Sequence, residues 1–136
     1  MPDGPNDRDD APRTPVPYRP PPAWRRLFGR RVEVRESSMA PALRPGDHLL
    51  VDRGAYRRDR PRVGDVVLLV DPEGSRRWLL KRVAPPPEPI GDEQVWLLGD
   101  APEVSRDSRQ FGPVALRGLL GRAWYVYAPR FRRGPV

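Results

Sequence analysis

A single lysine stands in a chain that otherwise takes its positive charge from arginine: 24 of the 25 basic residues are arginine, and the remaining one is Lys81. It lies inside the apolar stretch 78–83, of sequence WLLKRV. Arginine stays protonated in proteins, whereas a lysine removed from water can lose its proton near neutral pH. Lys81 is therefore a candidate general base. Chance retention of a surface lysine is the alternative that this feature alone leaves open.

Residues 37–43, of sequence SSMAPAL, offer a candidate nucleophile. A serine at the end of a short strand, just before a proline-shaped turn, can hold its hydroxyl and its backbone N–H toward one point. Acyl transfer needs that combination of a nucleophile and a donor to the oxyanion. Ser38 has this position in the sequence, although the same segment also fits an ordinary exit from a strand into a loop.

A third segment, residues 98–114 of sequence LGDAPEVSRDSRQFGPV, is dense in hydroxyls, acids and arginines. It can form a hydrogen-bonded loop that supports a site, and on its own it also fits a solvated surface loop. The chain has no cysteine, which excludes disulfides, thiolate zinc sites and a cysteine nucleophile. Because His48 is the only histidine, a protein-only metal cage is disfavoured, and we expect neither a metal nor a cofactor.

Strands have to position these segments, because apolar and β-branched runs bounded by turn residues recur after residue 31. The predicted strands are 32–35, 47–52, 65–70, 77–83, 94–98 and 122–128. Residues 65–70 and 77–83 can pair as a hairpin, in which alternation places Lys81 on one face with Leu79 and Val83. That surrounding would desolvate the amine and lower its pKa. Pro45–Gly46 suits the centre of a type II turn, and residues 114–120 a short helical turn. The predicted fold class is mostly β.

The chain divides into four predicted parts. Residues 1–22 hold eight of the 20 prolines and predict a disordered Pro-rich N-terminal arm. Residues 23–31, AWRRLFGRR, form a short basic amphipathic segment that would pack on the domain or touch a membrane surface. Residues 32–128 form the compact domain, and residues 129–136 a basic tail that we expect to fray. No stretch approaches the roughly 20 apolar residues of a membrane span, and the N-terminus lacks a secretory signal pattern, so the expected location is the cytoplasm.

The net charge of +7 is unevenly spread, with −3 over residues 1–12 and +10 over the rest. A basic domain can attract nucleic acid or anionic lipid, so a catalytically silent basic binding module is a rival function. The arginines within 25–31 and 57–62 motivate it, but they follow no recognised nucleic-acid-binding pattern. The near-exclusive use of arginine is also what GC-rich coding produces. We therefore expect no nucleic-acid partner.

Taken in order, the segments resemble the type I signal peptidase family of serine endopeptidases. That family's pattern is a Ser-Met-x-Pro-x-Leu box, a Gly-Asp-hydrophobic turn, a Gly-Asp-Val-Val strand, a Lys-Arg-Val strand and a last Gly-Asp…Ser-x-Asp-Ser-Arg-x-x-Gly-x-Val box. Here these lie at 38–43, 46–51, 64–67, 81–83 and 99–114. The resemblance implies a compact signal peptidase-like β domain of short strands behind the disordered arm.

The resemblance also implies roles for individual residues. Ser38 would be the nucleophile and would donate its backbone N–H to the oxyanion, and Lys81 would be the general base. Ser105 would hydrogen-bond the lysine amine and orient it. Asp107 and Arg109 would form an ion pair that supports this loop.

Further positions concern the substrate. The resemblance implies that Met39 and Pro41 shape a groove in which the peptide adds as an extended strand. Glu36 stands where glycine or serine usually completes the oxyanion hole, so we expect Glu36 to point away and Ser37 to be a substitute donor. Ala101 stands where the family usually has asparagine.

The predicted partner is a protein precursor that loses its N-terminal extension. The membrane helix that usually precedes the serine is not recognisable, and a short relative without one is the maturation protease of nickel-type superoxide dismutase. The run 107–114, DSRQFGPV, favours that assignment, with removal of secretory signal peptides as the alternative. A hydrolase assisted by His48 is a weaker alternative because no third-member acid stands out. A self-cleaving repressor is a second weaker alternative. Such proteins carry a DNA-binding domain ahead of the protease, and residues 1–31 cannot supply one.

Overall fold

The computed structural model describes residues 22, 29–57 and 59–136. This part of the chain forms a mostly antiparallel sheet, which confirms the predicted fold class. Its strands are β1 (Arg30–Glu33), β2 (His48–Asp52), β3 (Val66–Val70), β4 (Trp78–Ala84), β5 (Gln94–Leu98), β6 (Val114–Ala115), β7 (Leu119–Ala128) and β8 (Gly134–Pro135). The order of strands is β1-β2-β7-β3-β4-β5-β6, with β8 beside β7. The helical elements are α1 (Ser108–Phe111) and 3-10 turns at Pro102–Val104, Leu116–Gly118 and Arg130–Arg132.

The central strand β3 is buried on both faces, which explains its uninterrupted apolar run. Alternate residues belong to two different apolar clusters, Val66 and Leu68 to the first, Val67 and Leu69 to the second. A strand covered on both sides needs no polar alternation. The first cluster also contains side chains from residues 39 and 43, so the segment that follows Ser38 is anchored in the core.

Two turns of the same construction precede β2 and β3. In the first, Arg44 N–H donates to Asp47 Oδ2 at 2.9 Å, and in the second Arg62 N–H donates to Asp65 Oδ2 at 3.0 Å. The glycine before each aspartate has a positive φ, 93° and 98°, which residues with a side chain rarely adopt. The turn predicted at Pro45–Gly46 is therefore present, with Asp47 N–H bonded to Arg44 O at 3.0 Å.

The C-terminal tail packs on the domain, and the expectation that it frays is wrong. After a 3-10 turn, β8 pairs with β7. The guanidinium of Arg132 donates to Asp47 Oδ2 at 2.8 Å and to Ala42 O at 3.1 Å. A buried carboxylate requires a charged or hydrogen-bonded partner, and Asp47 finds one in the tail. No local pattern in residues 129–136 indicates this contact between Arg132 and Asp47.

Other boundaries shift by a few residues. β1 begins at Arg30, so the last two residues of the predicted amphipathic segment belong to the sheet. The predicted arm, apart from residue 22, and residues 23–28 of that segment lie outside the described residues. The helical turn expected at 114–120 is confined to Leu116–Gly118, between β6 and β7. In the described part of the chain no helix is both long and apolar enough to cross a bilayer.

Candidate active site

Lys81 lies in the middle of β4, and only 3% of its surface is exposed. The predicted hairpin is present, with Lys81 opposite Val67 of β3. Leu79 and Val83, two residues to either side on the strand, belong to or pack on the second apolar cluster. The Nζ atom of Lys81 donates to Ser105 Oγ at 3.1 Å.

Burial lowers the pKa of Lys81 below the ordinary value of lysine, because desolvation disfavours the charged amine. The carboxylates of Asp107 and Glu36 act in the opposite direction, and the guanidinium of Arg109 acts with the burial. Desolvation is the largest of these effects. The amine is therefore easier to deprotonate than a lysine in water, which is a property that a general base needs.

Ser105 is held by Asp107, a carboxylate with no exposed surface. Ser105 Oγ donates to Asp107 Oδ2 at 2.7 Å, and the same oxygen accepts the Gly99 N–H at 2.9 Å. Asp107 is also the N-cap of α1, so its Oδ1 accepts the Arg109 N–H at 3.1 Å and Arg109 Nε at 2.9 Å. Burial by itself would raise the pKa of this carboxyl, but hydrogen bonds from Arg109, Gly99 and Ser105 outweigh it and hold the pKa at about 2.

The low pKa of Asp107 determines the direction of the Ser105 proton. A carboxylate can only accept, so the one hydroxyl proton of Ser105 goes to Asp107 and Ser105 Oγ accepts from Lys81 Nζ. A neutral Lys81 that donates one N–H to Ser105 keeps its lone pair free for a different partner. The arrangement suits an amine that takes a proton from the groove side.

Ser38 lies half-buried in the turn between β1 and β2, and it lines the same groove as Lys81. The backbone fixes this turn, since Ala40 N–H donates to Ser37 O at 3.0 Å and Ala101 N–H to Ser38 O at 2.9 Å. Among the described residues neither the Oγ nor the backbone N–H of Ser38 has a hydrogen-bond partner. Both groups are therefore available to a substrate carbonyl.

Gly99 lies between the serine turn and the lysine network, and it was named above only as the first residue of the last Gly-Asp box. A Cβ at this position would lie 2.8 Å from Ser38 O and 2.1 Å from Ser105 Oγ, both closer than real Cβ contacts. Only glycine allows the chain after β5 to pass between these two residues while its N–H reaches Asp107. The Gly-Asp pair at the start of the last sequence box is the signal that pointed to it.

A groove of roughly 460 Å³ extends from Ser38 and Lys81 toward the end of the β3–β4 hairpin. Residues 31–36 form one wall and residues 76–81 the other. An ion pair between Glu36 and Arg77 connects the walls, and the guanidinium of Arg30, which directly precedes the first wall, lies 3.9 Å from the ring centre of Trp78. The Glu36 carboxylate is thus engaged by a guanidinium across the groove, a pairing that sequence reasoning missed.

The remaining predicted residues divide between the groove and the surface. Met39 lines the groove and is buried in the first apolar cluster. Pro41 is exposed and is not among the groove's lining residues, and Ser37 is exposed beside Ser38. His48 packs against Tyr127 with ring centres 5.8 Å apart, and it is also outside the groove lining.

The sequence profile of the family described as "Signal peptidase, peptidase S26" matches residues 23–89 and 85–128. The chain belongs to this family. It is 33% identical over 118 residues to the "Mitochondrial ATP-independent inner membrane protease subunit 1b" of Arabidopsis thaliana, covering 73% of this chain and 70% of the relative. It is 32% identical over 121 residues to "Mitochondrial inner membrane protease subunit 2" of Schizosaccharomyces pombe, covering 76% and 67%. It is 25% identical over 143 residues to "Probable signal peptidase I-1" of Synechocystis sp., covering 76% and 73%.

The predicted signal peptidase-like family and peptidase class are thereby confirmed for this S26 peptidase. The prediction of a cytoplasmic location is wrong, because its relatives in Arabidopsis, fission yeast, zebrafish and mouse are all named as inner membrane proteases. That prediction rested on the lack of an apolar run. The lack of an apolar run does not by itself determine whether a chain is associated with a membrane.

Proposed function

We propose that this S26 peptidase is a Ser/Lys endopeptidase that removes N-terminal leader peptides, with Ser38 as nucleophile and Lys81 as general base. The observation that carries the proposal is the buried Lys81. Its amine donates to Ser105 Oγ, and the Ser105 hydroxyl in turn donates its proton to the Asp107 carboxylate. Such an amine can accept a proton at neutral pH in a way that an exposed lysine cannot. The presence of Ser38 in the same groove supplies the matching nucleophile.

The chemistry has two stages. Lys81 Nζ takes the proton of Ser38 Oγ as the oxygen attacks the scissile carbonyl, and the backbone N–H of Ser38 donates to the oxyanion that forms. Collapse of the tetrahedral intermediate breaks the C–N bond, and Lys81 returns its proton to the leaving amine. A water molecule then attacks the acyl-enzyme with Lys81 again as the base, which regenerates Ser38.

Supporting residues keep the amine in position. Ser105 orients the lysine by accepting one N–H, and Asp107 with Arg109 fixes Ser105 from behind. Ser37 is the proposed second donor to the oxyanion, since Glu36 is held by Arg77 and a carboxylate in the hole would repel the developing charge. Met39, at the base of the groove, is the proposed floor for the substrate strand.

Two kinds of precursor are candidate substrates. The relatives named as inner membrane proteases and as a signal peptidase favour a leader of the secretory type, cleaved at a membrane surface. The run 107–114 favours the propeptide of a nickel-type superoxide dismutase. Both substrates share the same reaction, hydrolysis of one peptide bond near the N-terminus of a precursor.

The direct test is incubation of the full chain with each precursor, followed by mass spectrometry of the new N-termini. We expect one defined cut in at least one precursor and none with Ser38→Ala, a variant that loses only an oxygen atom. Cleavage of a single precursor would identify the substrate class. Folded protein that cuts neither precursor, or an active Ser38→Ala variant, would contradict the proposal.

A further inference from the structure

The groove beside the candidate active site carries an excess of positive charge along its walls. Apart from Lys81, its lining includes four arginines and two glutamates, namely Arg31, Arg35, Arg76, Arg77, Glu33 and Glu36. One glutamate is already paired with Arg77 across the groove. Arg35 and Arg76 are exposed and make no hydrogen bond or ion pair within the described part of the chain. The groove therefore offers guanidinium groups to whatever lies in it.

Arg76 has a backbone conformation that arginine rarely adopts. Its φ is 61°, in the left-handed region where glycine or asparagine usually stands. Such outliers persist only where the surrounding structure holds them, and they concentrate at functional sites. Hairpin loops commonly contain a left-handed residue, so the feature that points to a ligand is the guanidinium of Arg76, unpaired among the described residues, on the wall of the groove.

The acidic side chains of the hairpin that contains Arg76 are already paired with other groups. Asp71 accepts the Glu73 N–H at 2.8 Å and the Ser75 hydroxyl, and Glu73 forms an ion pair with Arg106. Neither carboxylate is therefore left for Arg76. The same Arg106 contact connects the hairpin to the loop of Ser105.

We propose that this groove selects substrates with an acidic side chain three to five residues from the scissile bond, bound by Arg76 and Arg77. The inference rests on the proposed function and names the substrate class of that site. Arg77 directly precedes β4 and lies four positions before Lys81, about 13 Å in an extended chain, so an extended peptide covers the distance with about four residues. The substrate carboxylate would share Arg77 with Glu36 or take its place, and Arg76 would be its second partner.

A peptide fits these arginines better than an anionic lipid does. They line the wall of a concave groove that ends at Ser38 and Lys81, and one of them is joined to the opposite wall by an ion pair. Lipid head groups would instead favour a convex basic surface. The apolar side chains of Val70 and Trp78 are exposed at the same hairpin, so it is the concave shape of the site that favours a peptide. Lipid binding is therefore the alternative outcome of the test.

The experiment uses synthetic peptides with alanine on both sides of the scissile bond and one variable residue, glutamate, glutamine or lysine, placed at each position from two to six on either side. For wild-type protein we expect glutamate at the favoured position to raise kcat/KM about five-fold over glutamine, and salt to reduce this preference. Arg76→Glu, which removes no hydrogen bond or ion pair of the described residues, should abolish the preference or shift it to lysine. The matched control is Arg117→Glu, an exposed arginine outside the groove.

Each outcome has a defined meaning. Cleavage of all peptides with no acid preference, or a preference unchanged by Arg76→Glu, overturns this inference and leaves the proposed function standing. If no peptide is cleaved, the proposed function fails for these substrates. The inference is then tested by measuring, with fluorescence anisotropy, whether the Ser38→Ala protein binds the glutamate peptides more tightly than the glutamine peptides. Binding to vesicles that contain anionic lipid is measured in parallel. If Arg76→Glu weakens vesicle binding and leaves the peptide preference unchanged, the inference is overturned in favour of a lipid surface.

Discussion

The two sides of the candidate active site are built in different ways. Lys81 lies in a regular strand, and its environment consists of buried side chains with defined hydrogen bonds. Ser38 lies in an irregular turn, and its side chain and N–H have no partner among the described residues. The lysine side therefore lowers the pKa of its amine, whereas the serine side fixes a position and leaves the Oγ and N–H of Ser38 without a partner in the described part of the chain.

This difference teaches where each kind of mutation should act. Changes on the lysine side should alter the pH dependence of the reaction as well as its rate. Changes on the serine side should lower the rate and leave the pH dependence unchanged. Two residues are exceptions: Gly99, which touches both sides, and Glu36, whose carboxylate acts on the pKa of Lys81 from the segment before Ser38.

The largest effect is expected for Lys81→Arg. Arginine keeps the positive charge but cannot give up its proton, so kcat should fall about a thousand-fold or more. The measurement is single-turnover cleavage, with circular dichroism to show that the fold is retained and Arg117→Lys as the control. Near-normal activity in Lys81→Arg would exclude the lysine as the base.

Gly99→Ala should impair both sides at once. The added Cβ would lie 2.1 Å from Ser105 Oγ and 2.8 Å from Ser38 O, so one of them has to move. We expect a loss of about a hundred-fold in kcat/KM together with a lower midpoint in urea unfolding. Gly118→Ala is the matched control, because its Cβ would meet only Val114 at an ordinary 3.7 Å. Equal behaviour of the two variants would contradict the role of Gly99.

Asp107→Asn should affect stability as well as rate. The folded-state pKa of Asp107, about 2, lies below its unfolded value of 3.8, so its contribution is present above about pH 4 and is lost as the pH falls through 2. The variant should lose about 2 kcal/mol of unfolding free energy at pH 7 and show a flatter acid dependence. Urea unfolding at pH 7 and pH 3 tests this, with the exposed Asp92→Asn as the control. An unchanged acid dependence would count against the carboxylate.

Arg132→Ala should affect the serine side alone. It removes the donors to Asp47 and Ala42 O, which support the turn that carries Ser38. We expect kcat to fall a few-fold, about three to ten, while the midpoint of the pH profile stays in place. Arg130→Ala, an exposed neighbour, is the control. A moved midpoint would show that the two sides are not independent.

The smallest effect is expected for Glu36→Gln. The Glu36 carboxylate raises the pKa of Lys81, so its removal should lower that pKa further. In the proposed mechanism the neutral amine is the active form, so kcat/KM should rise with pH, and its ascending limb should move to lower pH by a few tenths of a pH unit. The exposed Glu33→Gln is the control. A shift to higher pH would have the wrong sign for this electrostatic account.

Local patterns predicted most of the sheet but few of its long-range contacts. The apolar runs of β2 to β5 predict these strands correctly, because burial on one or both faces requires an alternating or continuous run of apolar residues. Lys81 stood out because no other lysine competes with it. By contrast, Asp47 and Arg132 are 85 residues apart, and Glu36 and Arg77 are 41 apart. With 24 arginines available, nothing local selects the partner of a given carboxylate.

The site itself shows the same limit. The spacing within 99–114 indicated which hydroxyls and acids belong together, and the resemblance supplied their roles. It could not indicate that Gly99 lies against Ser38 O, because close approach between two chain segments depends on how the sheet is packed. The positive φ of Arg76 was not indicated either, because arginine is not among the residues that mark a left-handed turn position.

The uniqueness of Lys81 has a practical consequence for spectroscopy. Because it is the only lysine, the chain contains a single side-chain amine. A nitrogen-15 label on lysine would therefore give one Nζ resonance, which needs no assignment and can be followed through a titration. Reductive methylation would likewise mark one ε-amine, at a rate set by the fraction that is neutral and accessible. Lysine labelling thus places a single reporter at the atom that we propose as the general base.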